Sequence, residues 1–154
     1  ALKEAVTEIL SSRDSNGCLR ETALVQVFLQ GEEFLVDCVS FDDRHYVSAI
    51  WKHKKKQSPG FFACDHTTAV AYCDEAGSDQ AKIRQYVFDC LTALGVSNGA
   101  SHSKVMVGET TGPCLIEVGA RMHGSVCPAL WARCAGTEFS QPFLVADVFT
   151  QNGR

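Results

Sequence analysis

A chain of 154 residues with 45% hydrophobic and 21% charged side chains has the length and balance of one globular domain, so a single domain over 1–154 is expected. A formal net charge of −4 argues against a general binder of nucleic-acid backbone, and no apolar run reaches bilayer length; neither nucleic acid nor membrane is an expected partner. The eight cysteines are scattered without a C-x-x-C pair, which supports neither a zinc site nor a disulfide frame; small buried thiols suit a cytoplasmic protein. Ala1-Leu2-Lys3-Glu4 carries no initiator methionine and no signal-peptide pattern, and reads as the middle of a longer chain.

Leu2, Ala5, Val6, Ile9 and Leu10 recur at helical spacing, predicting a short amphipathic helix that ends in the Ser11 to Gly17 turn cluster and needs a partner for its stripe. Ala23 to Leu29, Glu33 to Phe41 and His45 to Trp51 are β-branched and aromatic runs parted by turn residues, an antiparallel meander. In the second run both alternating sets contain apolar residues, so register does not choose its core face. Lys52 to Thr68 is polar and lysine-rich and reads as an exposed loop, followed by a short strand over Thr67 to Cys73 and a turn from Asp74 to Ser78. Ser78 or Asp79 can cap a long helix whose stripe is Ile83, Val87, Cys90, Leu91 and Leu94, with Gly95 as its stop.

Ser103 to Val107 and Cys114 to Val118 read as a hairpin joined through Glu109 to Pro113. Pairing symmetric about Thr110 and Thr111 sets Val105 opposite Ile116 and Lys104 opposite Glu117. After a loop from Gly119 to Ser125, Val126 to Cys134 and Gln141 to Thr150 read as two short helices. The order predicts an α+β fold, an antiparallel β-sheet with helices packed on one face. No dinucleotide fingerprint, Walker A run or nucleophilic triad pattern is present.

Glu117 has two readings. It is either a half-exposed strand glutamate paired with Lys104 or a carboxylate for a hard cation held with nucleotide phosphates, and spacing alone favours the pair. Arg121 lies just beyond in a glycine-containing loop, suited to bidentate capture of phosphate or carboxylate, against a plain surface arginine. His102 and His123 flank the same hairpin and read as solvated loop histidines. Gln26 to Glu33 is a strand, a turn and an acidic tip, and the lysine cluster Lys52 to Lys56 reads as a solvated surface.

Leu115-Ile116-Glu117-Val118-Gly119-Ala120-Arg121, preceded by Gly112-Pro113 and by the run Ala93-Leu94-Gly95 through His102, resembles the C-terminal lobe of the ATP-grasp superfamily. The likeness is nearest to its carboxylate-amine ligases, the L-amino-acid ligase and carnosine synthase branch, and Val25 through Asp37 resembles that family's hinge strand and following G-x-E. The resemblance implies ATP and Mg2+ as cofactors, small-molecule carboxylate and amine substrates joined through an acyl phosphate, and N-terminal lobes outside this chain. By position it implies that Gln26, Val27, Phe28 and Leu29 lie along the adenine edge and that Glu33 meets the ribose. It likewise implies that Glu117 binds magnesium and that Arg121 steadies phosphoryl or carboxylate oxygens. Three positions depart from the pattern: Lys104 stands where a second metal carboxylate is usual, Gly119 where asparagine is frequent, and Val27 where the hinge is commonly polar. Those departures make a non-catalytic ATP-grasp binding module the alternative reading.

Overall fold

Strand alternation and one capped helix account for most of the architecture. The computed structural model describes residues 1–59, 61–71, 75–124, 127–136 and 139–150, with residues 58, 61 and 62 described by their main chain. The elements run α1 (Leu2–Ser11), β1 (Glu32–Phe41), β2 (Arg44–Ser58), β3 (Phe61–Ala69), α2 (Asp79–Ala93), β4 (Gly99–Gly108), β5 (Gly112–Gly119), α3 (Cys127–Ala135) and α4 (Gln141–Thr150). The strands form one sheet in the order β3-β2-β1-β4-β5, and each neighbouring pair is antiparallel. The α+β class and the antiparallel sheet are as expected.

β1 is central and covered on both sides, which explains why its two alternating sets are both partly apolar. Val36 and Cys38 point to one face, where they pack with Ile50, Val105 and the α2 residues Ile83, Val87 and Leu91. Ser78 caps α2 by accepting a 3.2 Å hydrogen bond from the Ala81 amide, and Gly95, at a φ of 70°, takes the left-handed turn beyond it. Leu35 points to the opposite face and joins Ala49, Trp51 and Trp131 of α3. On that side Phe149 of α4 also meets Phe41 edge-on, with ring centroids 5.3 Å apart. Helices therefore cover both faces, which corrects the expectation of helices on one face. The cause is β1 itself, since a strand with apolar residues in both registers needs cover on both.

Two segments exchange roles relative to expectation. Residues 21–30 contain no strand; Leu24 is 78% and Val27 85% exposed, so a β-prone composition here finds no neighbouring strand to pair with. The lysine-rich stretch read as a loop instead forms the second half of β2 and nearly all of β3, where Lys52 pairs with Glu32 and Lys55 reaches Glu33 at 2.5 Å. Charged side chains suit strands at and near the sheet edge, where water is close at hand. Part of the expected strand over 67–73 and turn over 74–78, the loop end at Ser125 and the helix start at Val126 lie outside the described residues.

The β4–β5 hairpin keeps Lys104 opposite Glu117 as expected, but a bulge between Lys104 and Val105 places Leu115, not Ile116, opposite Val105. Next to the extra residue Ile116, the Leu115 amide donates to the Tyr86 hydroxyl of α2 at 3.0 Å. α1 has no buried residue, so its apolar stripe lies uncovered among the described residues. No helix among them is long and apolar enough to cross a membrane. Their cysteines are free thiols, Cys38 buried and Cys18, Cys64 and Cys134 exposed, so burial is less general than expected.

Candidate functional site

The segment ahead of β1 is steered by one glycine. Gly31 has a φ of 148°, and a Cβ there would lie 2.2 Å from the Val107 carbonyl oxygen, so only glycine lets the chain pass this close to β4. Gln26, Val27, Phe28 and Leu29 are thereby held beside the sheet. With Glu33, Lys55, Met106, Cys114, Leu115 and Ile116 they line a cleft of about 530 Å3. The bulge residue Ile116 thus becomes part of a wall. An adjoining cleft of about 500 Å3 lies between the 28–33 stretch and Lys52 to Lys55 of β2.

The five positions expected to face a nucleotide therefore share one cleft, although Gln26 to Leu29 reach it from an irregular segment and not from a strand. Glu33 is almost fully buried, and its carboxylate lies 2.5 Å from His53 Nδ1 and 2.5 Å from Lys55 Nζ. Both partners sit on β2, His53 in direct register with Glu33. Any hydroxyl that Glu33 accepted from would share the carboxylate with them.

Along the same face the register carries Met106 of β4 to Lys104, and β5 presents Glu117 beside it. Lys104 Nζ meets Glu117 Oε1 at 2.5 Å, the salt bridge read from the hairpin symmetry, while the Glu117 side chain stays 58% exposed. The hydrogen bond from Lys104 holds the Glu117 carboxyl below its ordinary range against the opposing effect of burial, and the charges of Lys104, His102 and Arg121 add to it. Arg121 Nη1 donates to the Met122 carbonyl at 2.9 Å. Its side chain lies over Gly119, where an added Cβ would stand 3.4 Å from Arg121 Cγ. Glu117 on β5 and Arg121 in the loop that follows are close enough for the arginine's charge to act on the carboxylate.

One group was not foreseen. Asp37 projects from β1 to this face and is almost completely buried. Its Oδ1 accepts from His102 Nδ1 at 2.6 Å; Oδ2 accepts from His123 Nδ1 at 2.8 Å and from the Trp51 indole at 2.9 Å. Burial pushes the Asp37 carboxyl up, but the two histidine hydrogen bonds, the His123 charge and the Trp51 indole outweigh it and hold it below the usual carboxylate range. His102 and His123 are therefore not solvated loop residues; one is buried on β4 and the other half-buried in the loop after β5. That loop is fixed again by Gln141 at the start of α4. Its carbonyl accepts from the His123 amide at 2.8 Å, and its amide donates to Cys38 O and Ser101 O at 3.0 and 2.9 Å. The signal available in the sequence was a lone aspartate inside the apolar run of β1, which can be buried only with donors around it.

A family model described as an ATP-grasp domain matches residues 1–129. Dapdiamide A synthase of Enterobacter agglomerans is 35% identical over 133 residues, covering 86% of this chain and 30% of that protein. The crystal structure of L-amino acid ligase from Bacillus licheniformis superposes with a TM-score of 0.62 at 27% identity, over 77% of this chain and 29% of the other. D-alanine–D-alanine ligase from Bacillus anthracis shares the fold, with a TM-score of 0.52 at 17% identity over 80% of this chain and 41% of its own. The chain spans less than a third of the length of the first two relatives. The sheet, the cleft beside its central strands and the match over most of the sequence lead to one conclusion: this chain belongs to the ATP-grasp family.

Proposed function

We propose that the chain is the ATP-binding lobe of a carboxylate-amine ligase, a protein that activates a small-molecule carboxylate as an acyl phosphate for attack by an amine. The observation that carries this reading is the convergence of Gln26, Val27, Phe28, Leu29 and Glu33 on one cleft, on the sheet face that also bears Glu117. A mixed apolar and polar cleft of this size suits a purine and its ribose. The names synthase and ligase carried by the two relatives favour this reading over a non-catalytic binding module.

In this reading the backbone of residues 26–29 binds the adenine edge and Glu33 orients the ribose hydroxyls. Glu117, an exposed carboxylate, offers the oxygen that a magnesium ion needs, and Arg121 holds phosphoryl or carboxylate oxygens in place. The magnesium ion would supply charge neutralisation between the phosphate oxygens. Lys104 makes the site differ from one built of two carboxylates: its ammonium already balances Glu117 and adds positive charge where phosphate oxygens would lie. The uncovered stripe of α1 and the exposed Leu24, Val25 and Val27 are apolar surface that further lobes, outside these residues, would cover.

The test is Glu117→Gln in the intact protein. Ligation of a carboxylate to an amine should fall to background while circular dichroism and the denaturation midpoint stay at wild-type values, since the side chain faces the site and not the core. Unchanged turnover would remove the assignment.

A further inference from the structure

Asp37, His102 and His123 have the composition of a transition-metal site. Each offers one ligand atom, and those atoms lie within 4.8 Å of one another, the one such group of three among the described residues. Two imidazoles and a carboxylate are the ligand set of zinc and of the divalent iron, cobalt and nickel ions; magnesium prefers oxygen alone. We propose that Asp37, His102 and His123 bind one first-row transition-metal ion, with Zn2+ as the reference, separate from the magnesium position at Glu117.

Geometry supports it. Asp37 and His102 are direct cross-strand partners on β1, the middle strand, and its neighbour β4, so their spacing is set by the sheet. His123 comes from the loop after β5, and its ring centroid lies 4.4 Å from that of His102. Both rings turn the same atom, Nδ1, toward the carboxylate, at 2.6 and 2.8 Å. Ligands about 2.0–2.1 Å from a zinc ion stand roughly 3.3 Å apart in a tetrahedron, so moving each ring by less than ~1 Å makes room for the ion. The outer contacts also match. The Trp51 indole orients the carboxylate, and Gln141 ties the His123 backbone to β1 and β4 through its contacts with Cys38 and Ser101.

Binding needs no redox step. In the metal-bound state each imidazole gives its Nδ1 lone pair to the metal and keeps one proton, on Nε2, any second ring proton passing to solvent, while the aspartate binds as its anion. Two N–H···O bonds are exchanged for metal bonds. The ion would pin the loop that carries Arg121 to the centre of the sheet. The rival description is a hydrogen-bonded hub that needs no metal, because Asp37 already has three donors.

The experiment uses the intact protein stripped with a chelator and titrated with Co2+ in excess Mg2+, read by visible d–d absorption, and with Zn2+ read by calorimetry. One equivalent should bind, at least tenfold more weakly in Asp37→Asn and His123→Ala, and unchanged in Glu117→Gln. His123→Gln keeps a donor toward Asp37 but offers no imidazole, and should lose the ion while keeping the fold by circular dichroism. The proposal is overturned if the wild type takes up no stoichiometric Co2+, if binding survives in Asp37→Asn and His123→Gln, or if Glu117→Gln abolishes it. None of these outcomes depends on ATP or on ligation, so the metal site and the ligase reading fail separately.

Discussion

The two faces of this sheet are made by alternate residues of the same strands, yet they do different work. Val36 and Cys38 of β1 join Ile50, Val105 and the α2 stripe in an apolar layer. Their neighbours on the chain, Leu35 and Asp37, look the other way, where Glu33, Asp37 and His102 are buried polar groups. On that face Lys104 and Glu117 form an ion pair, and an apolar cluster of Leu35, Ala49, Trp51 and Trp131 stands beside the polar groups. Both faces are covered, and each charge buried on the second has a built partner: Glu33 has His53 and Lys55, and Asp37 has His102 and His123.

The contrast can be broken by substitution. Leu91→Ala in α2 should lower stability by about 2–5 kcal/mol in urea denaturation, because it opens a cavity in the apolar layer. Nucleotide binding by the fraction that remains folded should not change. Asp37→Ala, on the opposite face, should cost about 1–3 kcal/mol by leaving the Trp51 indole and two imidazoles without their acceptor. It should also speed amide hydrogen exchange at His123, which an equal loss through Leu91→Ala would not do selectively.

Smaller effects sharpen the comparison. Tyr86→Phe removes the acceptor for the Leu115 amide beside the bulge and should cost about 1 kcal/mol in the same denaturation assay. Lys104→Met should change stability by less than about 1 kcal/mol, since its partner Glu117 is largely exposed. It should nonetheless alter the magnesium dependence of ATP binding. A large stability loss there would mean that the pair belongs to the framework and not to the site.

What the sequence disclosed was local. The long helix was legible because its cap, its stripe and its stop lie within one window, from Ser78 to Gly95. The Lys104–Glu117 pair was legible because a short turn sets hairpin register, and the bulge displaced only the residues on its turn side. The lysines of β2 looked like loop because cross-strand carboxylates at Glu32 and Glu33 are invisible until the strands are paired. Residues 23–29 looked like strand because composition carries no information on whether a partner exists. The Asp37 cluster was out of reach for the same reason. His102 lies 65 residues and His123 lies 86 residues from Asp37, joined only once β1 and β4 are neighbours.

The central claim is that this polar face, with the cleft beside it, holds ATP through a cation at Glu117. Magnesium-dependent ATP binding to the intact protein, measured by calorimetry for the wild type beside Glu117→Gln and Lys104→Glu, addresses it most directly. The account predicts that the wild type binds ATP with magnesium and that Glu117→Gln weakens this by at least about tenfold, or 1.4 kcal/mol, with the fold intact. A wild type that binds no ATP, with binding restored by Lys104→Glu, would contradict it.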